Sequence, residues 1–363
     1  MPNIRNPQKA GDSLSPTVSM KPLPNFVANE NTFTTASKVS VLVPVYNGEE
    51  FLAECLDSIL AQDFRDIEIL IVDDSSTDGS TGLIEKYAAR DSRIRWWRNP
   101  VNLGPVGNLN HCLRAARNEY VKFVLQDDVL LSPSAVRQMV QALDADPSVI
   151  LAVSASHVID DQGERIEFRN FFRHSGVMDG KAAILHSLER DGNYIGEPSV
   201  VMFRRDKAGR GYDERYRQLV DLDFWFHLLE QGRLAYLAEP LCAFRRHAKQ
   251  QSALNVKSGA HVQDELILAQ YWFSRPWLRG FTCGKVQFQQ VYALEKRYGE
   301  RARPFTKKIR AALKPGGYMF YWLEYKITRP LNKLNRWLQK RLARRQLNKT
   351  APLKKDDPIN SKA

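Results

Sequence analysis

Two runs of β-forming residues in this chain each end in a pair of aspartates. The run IEILIVDD ends at Asp73 and Asp74, and the run YVKFVLQDD ends at Asp127 and Asp128. A buried strand that ends in two acids places negative charge at the carboxyl edge of a sheet, where open α/β sheets bind their ligands. Four close carboxylates repel one another unless a cation or hydrogen-bond donors offset them. The pattern therefore favours a site for a divalent metal and a nucleotide.

The spacing of apolar residues predicts strands that alternate with helices. VSVLVPV at 39–45 is a continuous apolar run, typical of a strand buried on both faces. The following segment, 49–62, has an apolar stripe at helical spacing. Further strands are predicted at 67–72, 93–97, 120–126 and 149–156, and further helices at 79–90, 106–117, 133–146 and 217–232. This alternation predicts an α/β fold with a mixed, mostly parallel sheet flanked by helices.

Composition divides the chain into four predicted segments. They are a disordered arm at 1–37, a catalytic α/β domain at 38–255, a basic helical extension at 256–348 and a disordered tail at 349–363. The arm is rich in Pro, Asn, Ser and Thr and has no periodicity. Neither a signal-peptide segment nor a run of 18 apolar residues is present, so we expect no secretion signal and no spanning helix. The 4 cysteines form no CxxC, which argues against a zinc site or a disulfide framework.

The first loop, PVYNGEE at 44–50, excludes several nucleotide-binding classes. It has neither the GxGxxG of a dinucleotide site nor the GxxxxGK[ST] of a P-loop. It also lacks the Gly-rich, Arg/Lys-bearing loop that a nucleotidyltransferase would need. Tyr46 could stack on a nucleotide base, or it could pack beside Asn47 acting as a helix N-cap.

Two later segments carry further candidate groups. Asp221 and Asp223 lie in the first turns of the predicted helix at 217–232, where acids complement the helix dipole and where one of them could serve as a general base. Arg245, Arg246 and His247 are adjacent and could hold a phosphate, or they could be structural. The acids at 127–128 suit Mn²⁺ or Mg²⁺, which bind oxygen ligands and can stabilise a departing phosphate.

Five motifs in order resemble those of the family 2 glycosyltransferases, over about residues 39–252. They are VSVLVPVYNGEEFLAECLDSILAQ, IEILIVDDSSTDGS, NPVNLGPVGNLNHCLRAARNEYVKFVLQDDVLL, GEPSVVMFRR, and VDLDFW followed by FRRH. The resemblance implies the GT-A fold and transfer of a sugar, with inversion, from a nucleoside diphosphate-sugar to an acceptor hydroxyl. It also implies a divalent metal, Mn²⁺ or Mg²⁺, and we expect UDP as the nucleotide.

The resemblance also implies roles for individual residues. Asp221 would be the general base, and Asp74 would contact the nucleotide base. Asp128 and His247 would bind the metal. The rest of the nucleotide-sugar site would comprise Pro44, Tyr46, Glu49, Asp127, Arg245 and Arg246, and the acceptor and donor-sugar edge would comprise Gly196, Glu197, Pro198 and Ser199.

The chain departs from the family pattern in three places. The family's D-x-D-D segment reads here Leu125-Gln126-Asp127-Asp128, without the leading acid. Val220 precedes Asp221 where the family often has a glutamate, so Asp223 stays an alternative base. The QxxRW motif of processive synthases is absent, which favours transfer of a single sugar. A single base without a second carboxylate nucleophile favours one displacement and therefore inversion.

The net charge of +12 is concentrated near the C-terminus. Residues 301–350 hold 15 Lys/Arg and one acid, and leucines recur on one face of a predicted helix at 331–342. Such a helix suits an anionic membrane interface, or it could pack on the body with a solvated basic face. We therefore expect a cytoplasmic enzyme peripheral on the inner face of the cell membrane, with a glycan or polyprenyl-linked glycan acceptor from surface polysaccharide synthesis. No motif for reading nucleic acid accompanies the charge. The alternative function is a catalytically silent GT-A module that binds sugar nucleotides.

Overall fold

The computed structural model describes residues 37–190, 192–258, 260–272, 275–278, 281–303 and 306–307. The predicted arm (apart from residue 37), the predicted amphipathic helix at 331–342 and the predicted tail at 349–363 lie outside these residues. Among the helices that the structure describes, none combines the length and the hydropathy that a membrane span needs.

The described chain alternates strands and helices through its first half and then becomes more irregular. The strands are β1 Val39–Val45, β2 Ile67–Asp73, β3 Ile94–Arg98, β4 Tyr120–Phe123, β5 Val129–Leu130, β6 Val149–Ile159, β7 Arg165–Arg169, β8 Gly176–Asp179, β9 Val201–Arg204 and β10 Arg233–Arg245. The helices are α1 Leu52–Leu60, α2 Ser80–Ala88, α3 Gly104–Ala115, α4 Ala135–Asp144, α5 Gly180–Arg190, α6 Val220–Leu229, α7 Gln251–Ser258, α8 Ala260–Trp272 and α9 Phe281–Tyr298.

The described strands form one sheet with the order β3-β2-β1-β4-β9-β6-β10-β5, to which β7 adds on β6 and β8 on β10. Strands β1 to β4 are mutually parallel, and β9 is inserted antiparallel between β4 and β6. Because β6 and β10 are parallel to each other and β6 is antiparallel to β9, six strands run in one direction. The predicted mixed, mostly parallel sheet flanked by helices is confirmed.

The first strands could be predicted from sequence because nearly all of their residues are buried in the core. All seven residues of β2 are buried, and so are six of the seven in β1. Helix α3 packs against β1 and β2, while α4 packs against β6 and β10. A continuous run of β-branched residues is therefore covered on both faces, as expected for a parallel sheet.

The structure differs from the sequence-based prediction in the second half of the chain. The short antiparallel strand β9 was not predicted, and neither was strand β10, whose 13 residues end at Arg245. Helix α4 begins at Ala135, two residues after its predicted start, with Ser134 at its N-cap. Strand β4 ends at Phe123, because the backbone N–H of Leu125 already donates to the Ser199 side chain.

The helices after residue 255 pack on the body. Trp272 of α8 is fully buried, and its ring meets Phe226 of α6 edge to face at a centroid distance of 5.2 Å. Trp277 donates to Glu230, directly after α6, at 2.6 Å. The boundary predicted at residue 255 therefore does not mark a loss of contact between the α/β domain and the described part of the extension.

Candidate active site

The loops after β1 and β2 are joined to each other by hydrogen bonds. Asn47 has a left-handed φ of 50°, which asparagine adopts more readily than most residues. Its Oδ1 accepts from the Thr77 N–H at 2.8 Å, and its own N–H donates to Ser76 Oγ at 2.9 Å. The Gly48 N–H donates to Ser80 Oγ at 2.8 Å. Asn47 thus shapes the loop rather than capping α1, and the two loops form one edge.

Three residues predicted to line the nucleoside pocket lie on this edge. Tyr46 is 49% exposed, which leaves its ring available for stacking, and Pro44 is half-buried at the end of β1. Glu49 accepts from the Gly79 N–H at 2.8 Å and so stabilises the start of α2. A Cβ at Gly79 would lie 2.2 Å from Glu49 Oε1, so a larger residue there would displace this carboxylate from its present position.

The two acids of the first pair have different surroundings. Asp73 is fully buried and accepts from the Ser76 N–H at 3.0 Å and from Thr81 Oγ1 at 2.8 Å. Its carboxylate therefore holds the turn. Asp74 accepts from Asn99 Nδ2 at 2.7 Å through Oδ1, and its Oδ2 has no hydrogen-bond partner among the described residues. This oxygen is the one suited to a nucleotide base N–H.

Gln126 is a site residue that the sequence analysis did not single out. Its amide accepts from the Tyr46 N–H at 2.8 Å and donates to the Tyr46 carbonyl at 3.0 Å. A Cβ at Gly48 would lie 2.5 Å from Gln126 Oε1. Gln126 thus holds the loop after β1 with a neutral side chain. It follows Leu125, the position at which the family's leading acid is missing. The sequence contained a signal for Gln126, because a polar amide directly before an acid pair is expected at the ligand edge of the sheet.

The second acid pair is divided in the same way as the first. Asp128 is fully buried, and its oxygens accept from the Arg245 N–H at 2.9 Å and from Ser199 Oγ at 2.5 Å. Burial, together with the charge of Asp127, raises the pKa of Asp128 well above its usual value. Asp127 is 16% exposed, with Oδ2 3.0 Å from His247 Nε2. Both oxygens of Asp128 therefore accept hydrogen bonds from the fold, Asp127 is the more exposed acid of the pair, and the metal-binding role of Asp128 stays a prediction.

Arg245 is fully buried, and its contact with the diphosphate stays a prediction. Its Nε donates to the Asp127 carbonyl at 3.0 Å and its Nη1 to the Asp160 carbonyl at 3.0 Å. Its Nη2 donates to Glu54, and the guanidinium lies 4.7 Å from the ring centroid of Phe51. Every nitrogen of the guanidinium is therefore used to hold the acid turn against α1.

Arg246 points to a different part of the molecule from its two neighbours. It is half exposed, and its Nη2 lies 3.3 Å from Glu167 on β7. No hydrogen bond joins it to Asp127 or His247 within the described part of the chain. Its contact with the diphosphate stays a prediction.

A buried lysine lies beneath the second acid pair. Lys122 on β4 donates to the Ser199 carbonyl, and its Nζ lies 3.8 Å from Cys242 Sγ. Burial lowers the pKa of Lys122, while Cys242 and Asp128 act in the opposite direction. The Asp128 carboxyl group is thus accompanied by a buried amine, a feature signalled by the lysine inside the apolar run YVKFVL.

The acids of α6 separate into one structural and one available carboxylate. Asp223 is almost fully buried and accepts from Arg210 Nη2 at 2.6 Å and from Trp272 Nε1 at 3.0 Å. Asp221 is half-buried and accepts from Asn193 Nδ2 at 3.0 Å. Asp221 is therefore the better candidate for the base, and Asp223 anchors α6.

The protonation of Asp221 suits a general base at neutral pH. Burial raises its pKa to about 7, and the negative charge of Glu197 acts in the same direction. Glu197 forms an ion pair with Arg169. A base whose pKa lies near the operating pH combines a sufficient ionised fraction with a strong tendency to accept a proton.

The segment 196–199 connects the base to the second acid pair. The Gly196 carbonyl accepts from Trp225 Nε1 on α6 at 3.0 Å, and Gly196 has a φ of 127° that glycine alone adopts readily. Pro198 and Ser199 are buried, and Ser199 donates to Asp128. The predicted acceptor and donor-sugar edge therefore lies between Asp221 and the Asp127–Asp128 turn.

No group of three His, Cys, Asp or Glu side chains that could hold a metal ion occurs within the described residues. Asp127 and His247 form a group of two. A carboxylate and an imidazole fit a divalent cation whose remaining positions are filled by phosphate oxygens and water.

Comparison with known proteins agrees with this geometry. The model of glycosyl transferase family 2 matches residues 40–219. EpsE of Bacillus subtilis, named provisionally as a glycosyltransferase, is 31% identical over 241 residues, which cover 64% of this chain and 80% of EpsE. An uncharacterized Mycobacterium tuberculosis protein is 34% identical over 220 residues, which cover 58% of this chain and 67% of that protein.

Solved structures share the fold. Residues 1–349 of S. aureus TarS, in complex with UDP-GlcNAc, superpose with a TM-score of 0.52 at 19% identity, over 80% of this chain and 91% of that one. The mannosyltransferase PcManGT from Pyrobaculum calidifontis, in complex with GDP-Man and Mn²⁺, gives a TM-score of 0.50 at 18% identity, over 81% of each chain. The chain therefore belongs to glycosyltransferase family 2 and has the GT-A fold.

Proposed function

We propose that this glycosyltransferase moves one sugar from a nucleoside diphosphate-sugar, with UDP as the expected nucleotide, to a hydroxyl of a glycan or lipid-linked glycan. Asp221 carries the proposal, because it is a half-buried carboxylate whose pKa is raised to about 7 at the ligand edge of the sheet. A module that only bound sugar nucleotides would have no use for such a group.

The residues at the edge suggest a division of tasks. Tyr46 and Asp74 hold the nucleoside, and Asp127 and His247 face the diphosphate. Asp221 takes the proton from the acceptor hydroxyl as its oxygen bonds to the anomeric carbon. The bond from that carbon to the diphosphate breaks, and its electron pair leaves on the phosphate oxygen.

A divalent cation would be held by Asp127 and His247, whose nearest side-chain atoms are 3.0 Å apart. When bound, Mn²⁺ or Mg²⁺ would neutralise charge on the leaving diphosphate as a Lewis acid. Asp128 would contribute by fixing the turn from which Asp127 projects.

Inversion is supported by the state of the carboxylates around Asp221. Glu197 is paired with Arg169, and Asp223 is held by Arg210 and Trp272. These ties leave neither acid placed as a separate nucleophile, so a single displacement with Asp221 as base is the favoured route.

The first test measures release of nucleoside diphosphate by the full chain with Mn²⁺ or Mg²⁺. UDP-GlcNAc and GDP-mannose head the panel, because the TarS and PcManGT complexes contain these donors. We expect Asp221→Asn to lower kcat by about 10²–10⁴-fold, since the amide cannot accept the proton, while donor affinity is unchanged.

The matched variant is Asp223→Asn, which should lower the melting temperature because Asp223 is buried against Arg210. Full turnover by Asp221→Asn would contradict the assignment of the base. Donor binding without turnover by the wild-type chain, across the panel and with acceptors, would support the silent module instead. Once a product is obtained, NMR of its anomeric proton decides between inversion and retention.

The pH dependence of kcat/KM reports on the same carboxylate. Asp221 accepts a proton only when ionised, so kcat/KM should rise as the pH increases through about 7 and then level off. Glu197→Gln removes a negative charge that raises the pKa of Asp221, so the midpoint of the acidic limb should move to lower pH.

The control for that shift is Glu167→Gln. Glu167 also pairs with Arg169, at 3.3 Å, but it is not among the main groups that shift the pKa of Asp221. An equal shift in both variants, or none in Glu197→Gln, would disprove the electrostatic link.

Metal binding separates the two acids of the second pair. We expect Asp127→Asn and His247→Ala to raise the Mn²⁺ concentration needed for half-maximal activity by about tenfold or more, with an unchanged melting temperature. Asp128→Asn should lower the melting temperature, because a buried acceptor of two hydrogen bonds is altered. If only Asp128→Asn raised the Mn²⁺ requirement, and did so without loss of stability, Asp128 would be the metal ligand instead of Asp127.

We also propose that the enzyme acts at the inner face of the cell membrane on a polyprenyl-linked acceptor in surface polysaccharide synthesis. The support is the cluster of 15 Lys/Arg in residues 301–350 and the leucine stripe at 331–342. Deleting 316–363 should abolish co-sedimentation with anionic vesicles, whereas deleting only 349–363 should preserve it. Equal binding by both deletions would contradict the interfacial role of the 331–342 segment.

A further inference from the structure

We propose that Asp264, on α8, is a positioning residue that holds the first turn of α6 and thereby the base Asp221. The inference rests on the proposed role of Asp221. It assigns part of the catalytic unit to a helix that lies beyond residues 40–219, the region matched by the family model.

Asp264 is almost fully buried and accepts three consecutive backbone N–H groups. Its Oδ2 accepts from Arg217 at 2.7 Å, from Leu219 at 2.9 Å, and also from Gln218. These three amides directly precede α6, which begins at Val220. One carboxylate oxygen therefore binds all three backbone N–H groups that lead into α6. It belongs to a residue 45 or more positions further along the chain.

The need for such a carboxylate follows from the start of α6. The first N–H groups of a helix have no partner within the helix, and a polar side chain at the N-cap usually satisfies one of them. In α6 the N-cap is Leu219, which makes no side-chain cap hydrogen bond. Asp264 does not replace that cap; it holds the three backbone N–H groups that lead into the helix, and its carboxylate also complements the positive end of the helix dipole.

Two further contacts fasten the same turn. Trp272, at the other end of α8, donates to Asp223 Oδ1 at 3.0 Å, and Asn255 of α7 donates to the Arg217 carbonyl at 2.7 Å. Asp221 lies between residues 217–219 and Asp223. Asp264 and Trp272 of α8 thus hold the chain on both sides of the base, which leaves Asp221 free to contact Asn193 and the acceptor.

This arrangement predicts an effect on catalysis that differs from an effect on donor binding. Tyr46, Asp74, Asp127 and His247 lie on other elements, so loss of Asp264 should leave the donor site intact. A displaced base costs rate, and a shift of about 1 Å at a catalytic group can lower the rate by on the order of 10²-fold. The turn should also open to solvent, which moves the pKa of Asp221 back toward its ordinary value.

The test compares Asp264→Ala and Asp264→Asn with Glu265→Gln in the full chain. Glu265 is the next residue on α8, and it pairs with Arg297 and Tyr298 instead of the 217–219 backbone. We expect Asp264→Ala to lower kcat by about tenfold or more with donor Kd unchanged, and to shift the acidic limb of kcat/KM to lower pH. Asp264→Asn, which keeps an oxygen acceptor, should recover most of kcat, and Glu265→Gln should match the wild type.

Hydrogen exchange of the backbone amides at 217–222 tests the contact without any assay of activity. Faster exchange in Asp264→Ala, with Glu265→Gln unchanged, supports the proposal. Unchanged exchange, unchanged kcat, or a parallel loss of kcat and donor affinity would overturn it. If Asp264→Ala does not fold, the exchange comparison uses Asp264→Asn: a neutral amide oxygen is a weaker acceptor than a carboxylate, so exchange at 217–219 faster than in Glu265→Gln supports the proposal, and equal exchange overturns it. Full activity of Asp221→Asn would instead refute the proposed base and leave the exchange result standing by itself.

Discussion

The ligand edge depends on one buried carboxylate that is fully satisfied inside the protein. Asp128 joins the end of β4 to the segment before β9 through Ser199, and to the end of β10 through the Arg245 backbone. A desolvated acid is tolerated only with such donors, and Lys122 adds a buried amine below it. Because Asp128 points inward, its neighbour Asp127 points to the cleft. His247, two residues after Arg245, meets it there.

The first half of the fold was readable from sequence, and much of the second half was not. Strands β1 and β2 are continuous apolar runs because helices cover both faces of that part of the sheet. Strand β9 has four residues, and β10 contains a proline and register irregularities, so neither gives a clear period. Strand β9 nevertheless determines the site, since its antiparallel insertion brings Ser199 to the end of β4.

The sequence located all three acid pairs, and the family resemblance assigned Asp74, Asp128 and Asp221 as the functional members without any knowledge of their hydrogen-bond partners. Asp73, Asp128 and Asp223 are held by the fold, whereas Asp74, Asp127 and Asp221 keep an available oxygen or some exposure. In each pair the choice is made by partners, and for the two later pairs these are distant in sequence, such as Arg245 for Asp128 and Trp272 for Asp223. Local spacing does not reveal those partners, so the roles predicted for Asp128 and Arg245 could not take them into account.

The crowding at Gly48 and Gly79 bears on attempts to stabilise this enzyme. Gly79 has an ordinary φ of −73°, and at such positions a change from glycine to alanine commonly adds about 0.4–1 kcal/mol by restricting the unfolded chain. Here the missing methyl groups are replaced by the side chains of Glu49 and Gln126, which occupy that volume. Alanine at Gly48 or Gly79 would therefore require the ends of the Gln126 and Glu49 side chains to move, at the cost of their hydrogen bonds to the nucleotide loops. A design rule that considers only backbone angles would overlook this loss.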